Sequence, residues 1–293
     1  MIPDYSIIIP HKNTPELLNR LLNTIPEDDC IQVVVVDDNS NPSLKPLSFR
    51  KNVEVILLDA NQSKGAGKAR NVGIERAVGK WLLFADSDDF FVENFLFTLN
   101  RYKDSESEVI IFKADSVDSE SLTPSNRNIG LNRKIDECIN GRITPLEMSL
   151  SVQQPWCRMI NKEFIFKNNI LFDEVIASND TMFTTKLSCM ATSIAVSSDV
   201  IYVVTFRTGS LWHSRKKPDN YICRIKVNIN RAAYLKDKGL YFSPLLILFF
   251  NLGYVDLMTN LKALGLIIDN NLLFSNLFSF CKRVIKNKLG LKY

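Results

Sequence analysis

The stretch FADSDDFF, residues 84–91, sets Asp86, Asp88 and Asp89 directly behind an apolar run. Carboxylates this close repel one another unless a positive charge stands between them, so their position at the end of a strand points to a bound cation. A second acidic pair, Asp37-Asp38, follows VVVV and precedes Asn39-Ser40-Asn41. One carboxylate of that pair can accept hydrogen bonds from a ribose or a base edge while the other orients the turn. Asp37 reads equally well as the anchor of an Asx turn, which leaves the ligand contact to Asp38. GAGKARNVGIERA, residues 65–77, has two glycines one residue apart, then Arg70 and Asn71 opening a helix. Glycine permits close backbone approach, a helix N-terminus favours anions, and a guanidinium pairs with phosphate or carboxylate. The segment departs from both GxGxxG and the P-loop pattern, because its next glycine is Gly73 and Lys68 is followed by Ala69.

These groups need a sheet to hold them. Short apolar runs rich in β-branched residues recur at 5–9, 31–37, 53–59 and 80–86, and stretches with helical spacing at 15–25 and 67–78 lie between most of them. Strands apolar on both faces, alternating with helices, predict an α/β fold with a Rossmann-like, mostly parallel central sheet flanked by helices. In such sheets ligands bind beyond the carboxyl ends of the strands, and here those ends carry Pro10-His11, Asp37-Asp38 and Asp86-Ser87-Asp88-Asp89. Residues 92–107 read as helix and 108–115 as a further strand, followed by a polar surface excursion over 116–145. Helices are expected around QPWCRMINKEFI and NDTMFTTKLSCMA, then strand, turn and strand over 194–207, then a helical region from about 221.

Composition narrows the function classes. The 36 basic and 32 acidic residues of this 293-residue chain leave a formal charge of +4, too small an excess to argue for a nucleic-acid partner. Six scattered cysteines without a CxxC pair, and two histidines far apart, argue against a zinc site or a disulfide framework and fit reduced thiols in the cytoplasm. No basic leader precedes the first apolar run, and no window is long and apolar enough for a spanning helix.

A strand ending in proline (SIIIP), a strand ending VVDDNS, a GxGxARNxGI segment and a strand ending ADSDD, in that order, resemble the inverting family 2 glycosyltransferases of the GT-A fold, in their capsule or exopolysaccharide type. The likeness covers roughly the first 115 residues. It implies a nucleotide-sugar donor, most often UDP-linked, and a glycan or lipid-linked saccharide acceptor. It also implies Mn²⁺ or Mg²⁺ held against the donor diphosphate by Asp88, with Asp86 on the ribose or the metal and Asp89 assisting. Pro10, Asp38 and Arg70 would line the nucleoside side. The chemistry concurs, since a departing diphosphate gathers negative charge that a hard cation stabilises.

An inverting transfer further needs a general base for the acceptor hydroxyl. The segment FDEVIASNDTMFTTKL, 172–187, resembles the one in which the family's acidic pair opens a helix; this makes Asp180 the base and leaves Asn179 where the first acid is usual. WCRMINKEFI, 156–165, resembles the family's Trp-x-Lys-hydrophobic segment, with Trp156 either stacking on a sugar or lying in the core. FRTGSLWHSRKK, 206–217, resembles a segment that folds over the diphosphate. It offers Arg207, His213, Arg215 and Lys216, and His213 alternatively serves as a further metal ligand.

The expected organisation is a catalytic domain over 1–218 and a helical C-terminal region over 219–293. That region combines apolar clusters with KRVIKNKLGLK, 282–292, which holds five basic residues and no acid. It reads either as helices packed on the core or as a face that rests on an anionic membrane, placing the protein at the inner face of the cell membrane. Two other functions share parts of this pattern. Asn179 would suit a nucleotide-sugar-binding protein that has lost catalysis. A metal-dependent phosphohydrolase of the haloacid-dehalogenase type would want its DxD after the first strand and a Thr or Val where Phe90 stands.

Overall fold

The computed structural model describes residues 2–43, 50–206, 217–242 and 255–270. The chain divides into two compact units, Met1–Val175 with Phe183–Thr208, and Ile176–Met182 with Gly209–Tyr293.

The first unit is built on an eight-stranded sheet. Its strands are β1 (Tyr5–His11), β2 (Ile31–Asp37), β3 (Val53–Leu57), β4 (Trp81–Phe84), β5 (Phe90–Phe91), β6 (Val109–Asp118), β7 (Arg158–Asn161) and β8 (Ile194–Phe206). They lie in the order β3-β2-β1-β4-β7-β6-β8-β5. The pairs β1·β2, β2·β3, β1·β4 and β6·β8 are parallel, whereas β7 runs antiparallel between β4 and β6, and β5 runs antiparallel on β8. Helices α1 (Pro15–Asn23), α2 (Ala66–Arg76), α3 (Phe95–Asn100), α4 (Ile129–Ile139), α5 (Pro145–Ser151), α6 (Lys162–Lys167) and α7 (Asn179–Met190) follow in chain order.

The four early strands fall where their β-branched runs put them, because every residue of β1 and nearly every one of β2 is buried. Register puts the last residues of β1, β2 and β4 on one edge: His11 pairs with Asp37, and Ile8 pairs with Phe84, two residues before Asp86. Helix α2 lies close on β1 because position 73 is glycine; a Cβ there would sit 2.3 Å from Ile8 Cγ2.

The structure corrects the sequence reading at four places. The polar stretch 116–145 holds the end of β6 and the whole of α4, whose Leu131 and Ile135 are buried one turn apart. The segment QPWCRMINKEFI contains the strand β7 before its helix, since Met159 and Ile160 are buried in the sheet. Residues 194–206 form one strand, in which the polar Ser197–Asp199 stretch is absorbed as an irregularity in the pairing with β6. Helix α3 is only six residues long, shorter than the expected 92–107.

In the second unit α8 (Pro218–Asp237) packs on α9 (Leu257–Asp269) through Tyr221, Ile225, Ile229, Ala232, Ala263 and Ile267. Asp256 caps α9, accepting the Thr259 N–H at 2.9 Å, and Tyr221 donates to Asn260 Oδ1 at 3.2 Å. Helix α9 also leaves Leu257 72% and Met258 73% exposed, with Leu261 and Ile268 beside them on its outer face. No helix among the described residues is long and apolar enough to cross a membrane.

Candidate active site

The carboxyl end of β2 is organised by the first of its two aspartates. Asp37 is buried and accepts from the Ser40 hydroxyl at 2.5 Å and the Ser40 amide at 3.0 Å, with His11 Nδ1 at 2.6 Å. Burial raises the Asp37 carboxyl, but the Ser40 and His11 hydrogen bonds outweigh it and hold the group below the usual carboxylate range. The Asx-turn reading thus belongs to Asp37. Asp38 is buried too, yet it meets different partners: Lys12 Nζ at 3.1 Å and the Gly65 amide at 3.2 Å. That second bond joins the end of β2 to the start of α2. Gly65 supplies it from a backbone with φ of +85°, a left-handed conformation that favours glycine.

Arg70 lies on the buried side of α2. Its Nη2 donates to Asp86 Oδ1 at 2.6 Å, and its guanidinium stands 5.2 Å over the Phe172 ring. Asn71, the next residue, fixes that ring's backbone by accepting the Phe172 N–H at 2.8 Å and donating to the Phe172 carbonyl at 2.9 Å. Part of the positive charge demanded by the acidic run is therefore protein: Arg70 answers Asp86 directly.

The run itself forms a tight turn, with the Asp89 amide on the Asp86 carbonyl at 3.0 Å. Asp86 and Asp88 are partly exposed, whereas Asp89 is buried and accepts the Thr205 N–H at 2.6 Å. Burial, and then the neighbouring charges of Asp88 and Asp86, push the Asp89 carboxyl well above the ordinary range. The three acids thus divide into two outward carboxylates and one inward anchor. Among the described residues no group of three or more His, Cys, Asp or Glu is gathered around one point.

Pro10 is buried within β1. Trp156 is 5% exposed and its ring stacks on Tyr202 at 5.2 Å and 14°, which places it in the core. Arg207, His213, Arg215 and Lys216 lie outside the described residues. Asp180 belongs to the second unit, in the first turn of α7. There Cys223 of α8 contacts the Ala177 carbonyl at 3.5 Å, and Arg224 feels the charge of Asp180. Within one unit the structure sets Asp38 after β2 and Asp86 and Asp88 after β4, on either side of β1, with Arg70 of α2 reaching Asp86.

Three residues that motif reading missed hold this site together. Tyr202 accepts the Asp86 N–H at 2.8 Å, while the Thr205 hydroxyl and Arg20 Nη2 donate to the Asp88 carbonyl at 2.9 and 2.6 Å. Their sequence signal is weak, because they come from α1 and from β8, far from the acidic run in sequence, and are ordinary residue types there.

A parallel half-sheet, continued through an antiparallel strand, with acidic ends of β2 and β4 on a shared edge, is the GT-A fold. The chain matches the family model described as glycosyl transferase family 2 over residues 6–165 and belongs to that family. It is 28% identical over 216 residues to the poly(ribitol-phosphate) beta-N-acetylglucosaminyltransferase TarS of Staphylococcus aureus (strain Mu50 / ATCC 700699), covering 70% of this chain and 36% of that one. It is 29% identical over 208 residues to the poly(ribitol-phosphate) beta-glucosyltransferase of Bacillus spizizenii, covering 67% and 31%. Among solved structures, S. aureus TarS 1-349 in complex with UDP-GlcNAc aligns with a TM-score of 0.63 at 25% identity, over 79% of this chain and 66% of that one. The chain thus spans about a third of the length of these two sequence relatives.

Proposed function

We propose that this chain is an inverting glycosyltransferase that moves a sugar from a nucleotide sugar, a UDP-sugar, to a hydroxyl of a glycan or lipid-linked saccharide in cell-surface polysaccharide biosynthesis. The observation that carries it is that Asp38 at the end of β2 and Asp86 and Asp88 after β4 lie on one edge of the sheet, on either side of β1, with Arg70 of α2 paired to Asp86, in a family 2 chain. A UDP donor is supported by TarS 1-349, a similar chain whose solved structure is a complex with UDP-GlcNAc.

In this reading Asp38 meets the nucleoside and Arg70 holds Asp86 in place. The donor set suits a metal. Asp86 and Asp88 offer hard carboxylate oxygens, and Mg²⁺ or Mn²⁺ shared with a diphosphate takes one or two carboxylates and fills its remaining positions with phosphate oxygens and water. Asp89 is committed to the Thr205 amide and acts as a structural anchor. When bound, the cation supplies charge stabilisation to the leaving diphosphate. Asp180 takes the proton of the acceptor hydroxyl.

Calorimetric titration with UDP, with and without Mn²⁺, tests the donor site. Wild type is expected to bind UDP in the presence of Mn²⁺, and Asp88→Asn to lose that binding. Equal, metal-independent binding by both proteins would remove the clamp from the proposal.

The second unit adds contact with an anionic membrane. Its support is the outer face of α9, where Leu257, Met258, Leu261 and Ile268 are exposed, followed in sequence by the five basic residues of 282–292. Such a face would keep the protein close to an acceptor carried on lipid.

A further inference from the structure

The backbone of the acidic turn is gripped by two elements, α1 and β8, and the grip centres on one carbonyl. Asp88 O accepts Arg20 Nη2 at 2.6 Å and Thr205 Oγ1 at 2.9 Å. The other guanidinium nitrogen of Arg20, Nη1, donates to Ser119 O at 2.8 Å, just beyond β6. A planar fork with fixed donor angles therefore spans two backbone carbonyls from separate parts of the chain, and its Cζ lies 5.2 Å from the centre of the Phe90 ring. Arg20 itself sits in the last turn of α1. Neither carbonyl partner is a carboxylate, so the guanidinium brings a net positive charge up to a turn that carries three acids.

We infer that Arg20 is a positioning residue for the metal and diphosphate site, with Thr205 as its partner on the same carbonyl. This inference rests on the reading of Asp86 and Asp88 as the donor clamp. Two partly exposed carboxylates share one cation best when the turn that carries them is held still, because like charges this close repel. Hydrogen bonds to Asp88 O fix the peptide plane that follows the ligand residue, and the guanidinium charge offsets the repulsion. Groups that hold a metal ligand in this way typically change metal affinity roughly 10- to 100-fold when removed.

The experiment measures Mn²⁺ half-saturation of UDP binding by calorimetry, together with donor KM, kcat and thermal midpoint, for wild type, Arg20→Met, Arg20→Lys, Thr205→Val and Asp88→Asn. For Arg20→Met, Mn²⁺ half-saturation is expected to rise roughly 10- to 100-fold. Donor KM should rise with it. Arg20→Lys, which keeps the charge but loses the fork, should fall between that variant and wild type. Thr205→Val should show the same rise to a smaller degree in a protein that melts close to wild type. A purely structural role would lower the melting temperature and leave Mn²⁺ half-saturation of the folded fraction unchanged; that result in both Arg20→Met and Thr205→Val overturns the inference. If Asp88→Asn loses metal-dependent UDP binding while the Arg20 and Thr205 variants keep it, the inference alone fails. If wild type and Asp88→Asn bind UDP alike, the clamp reading fails and takes this inference with it.

Discussion

Asp180 carries the sharpest consequence at the scale of single residues. It opens α7 behind Asn179, and in the proposed reaction it is the one group that removes a proton from the acceptor. A positioned general base contributes about 10²- to 10⁴-fold. Asp180→Asn should therefore lower kcat by that order while calorimetry still records donor binding near the wild-type level. Unchanged turnover in this variant would return the base assignment to another residue and leave the donor site standing. The residues of the proposed donor site stand out in the sequence because their types are costly to place without a purpose: adjacent carboxylates at strand ends, and an arginine behind paired glycines. The residues that hold them were not. Arg20 reaches Asp88 across 68 positions and Thr205 reaches it across 117, through a backbone carbonyl that carries no side-chain signature. Trp156 shows the same limit from the other side, since only the neighbouring Tyr202 ring decides that it is core.

At the scale of elements, legibility followed burial on both faces. β1, β2 and β4 announce themselves as strongly apolar runs, and register alone carries their ends to one edge. β7 is four residues long and leads straight into α6, so its Met159 and Ile160 fit a helix as well as a strand until β4 and β6 supply partners. α4 was hidden by its polar surroundings, because only two of its side chains are buried. The contact of α2 with β1 gives a direct stability prediction. Gly73→Ala would drive a methyl group into Ile8, and overpacking of this kind costs about 1–3 kcal/mol. Urea unfolding should show a lower midpoint with an unchanged slope; a wild-type midpoint would mean that α2 moves away at no cost.

At the scale of the whole chain the outer face of α9 is the feature with a partner to find. Apolar contacts and the basic residues of 282–292 act together in the proposed membrane contact, at about 1 kcal/mol for each Lys or Arg near an anionic surface. The full chain should co-sediment with vesicles rich in phosphatidylglycerol, release as salt is raised, and stay in the supernatant with pure phosphatidylcholine. Leu257→Asp combined with Leu261→Asp should weaken the pelleting several-fold while the protein melts as before. Equal pelleting of the two proteins would set the α9 face aside as a contact.

The antiparallel β7 also orders events in time. A chain leaving the ribosome can pair β1, β2, β3 and β4 once Phe84 has been made, yet the strand that joins β4 to β6 is not complete until Asn161. For the synthesis of more than seventy intervening residues, the outer edge of β4 offers unpaired amides and carbonyls to any passing strand. Birth of this protein includes an interval in which half its sheet is finished and unsealed, and Arg158–Asn161 is the segment that ends it.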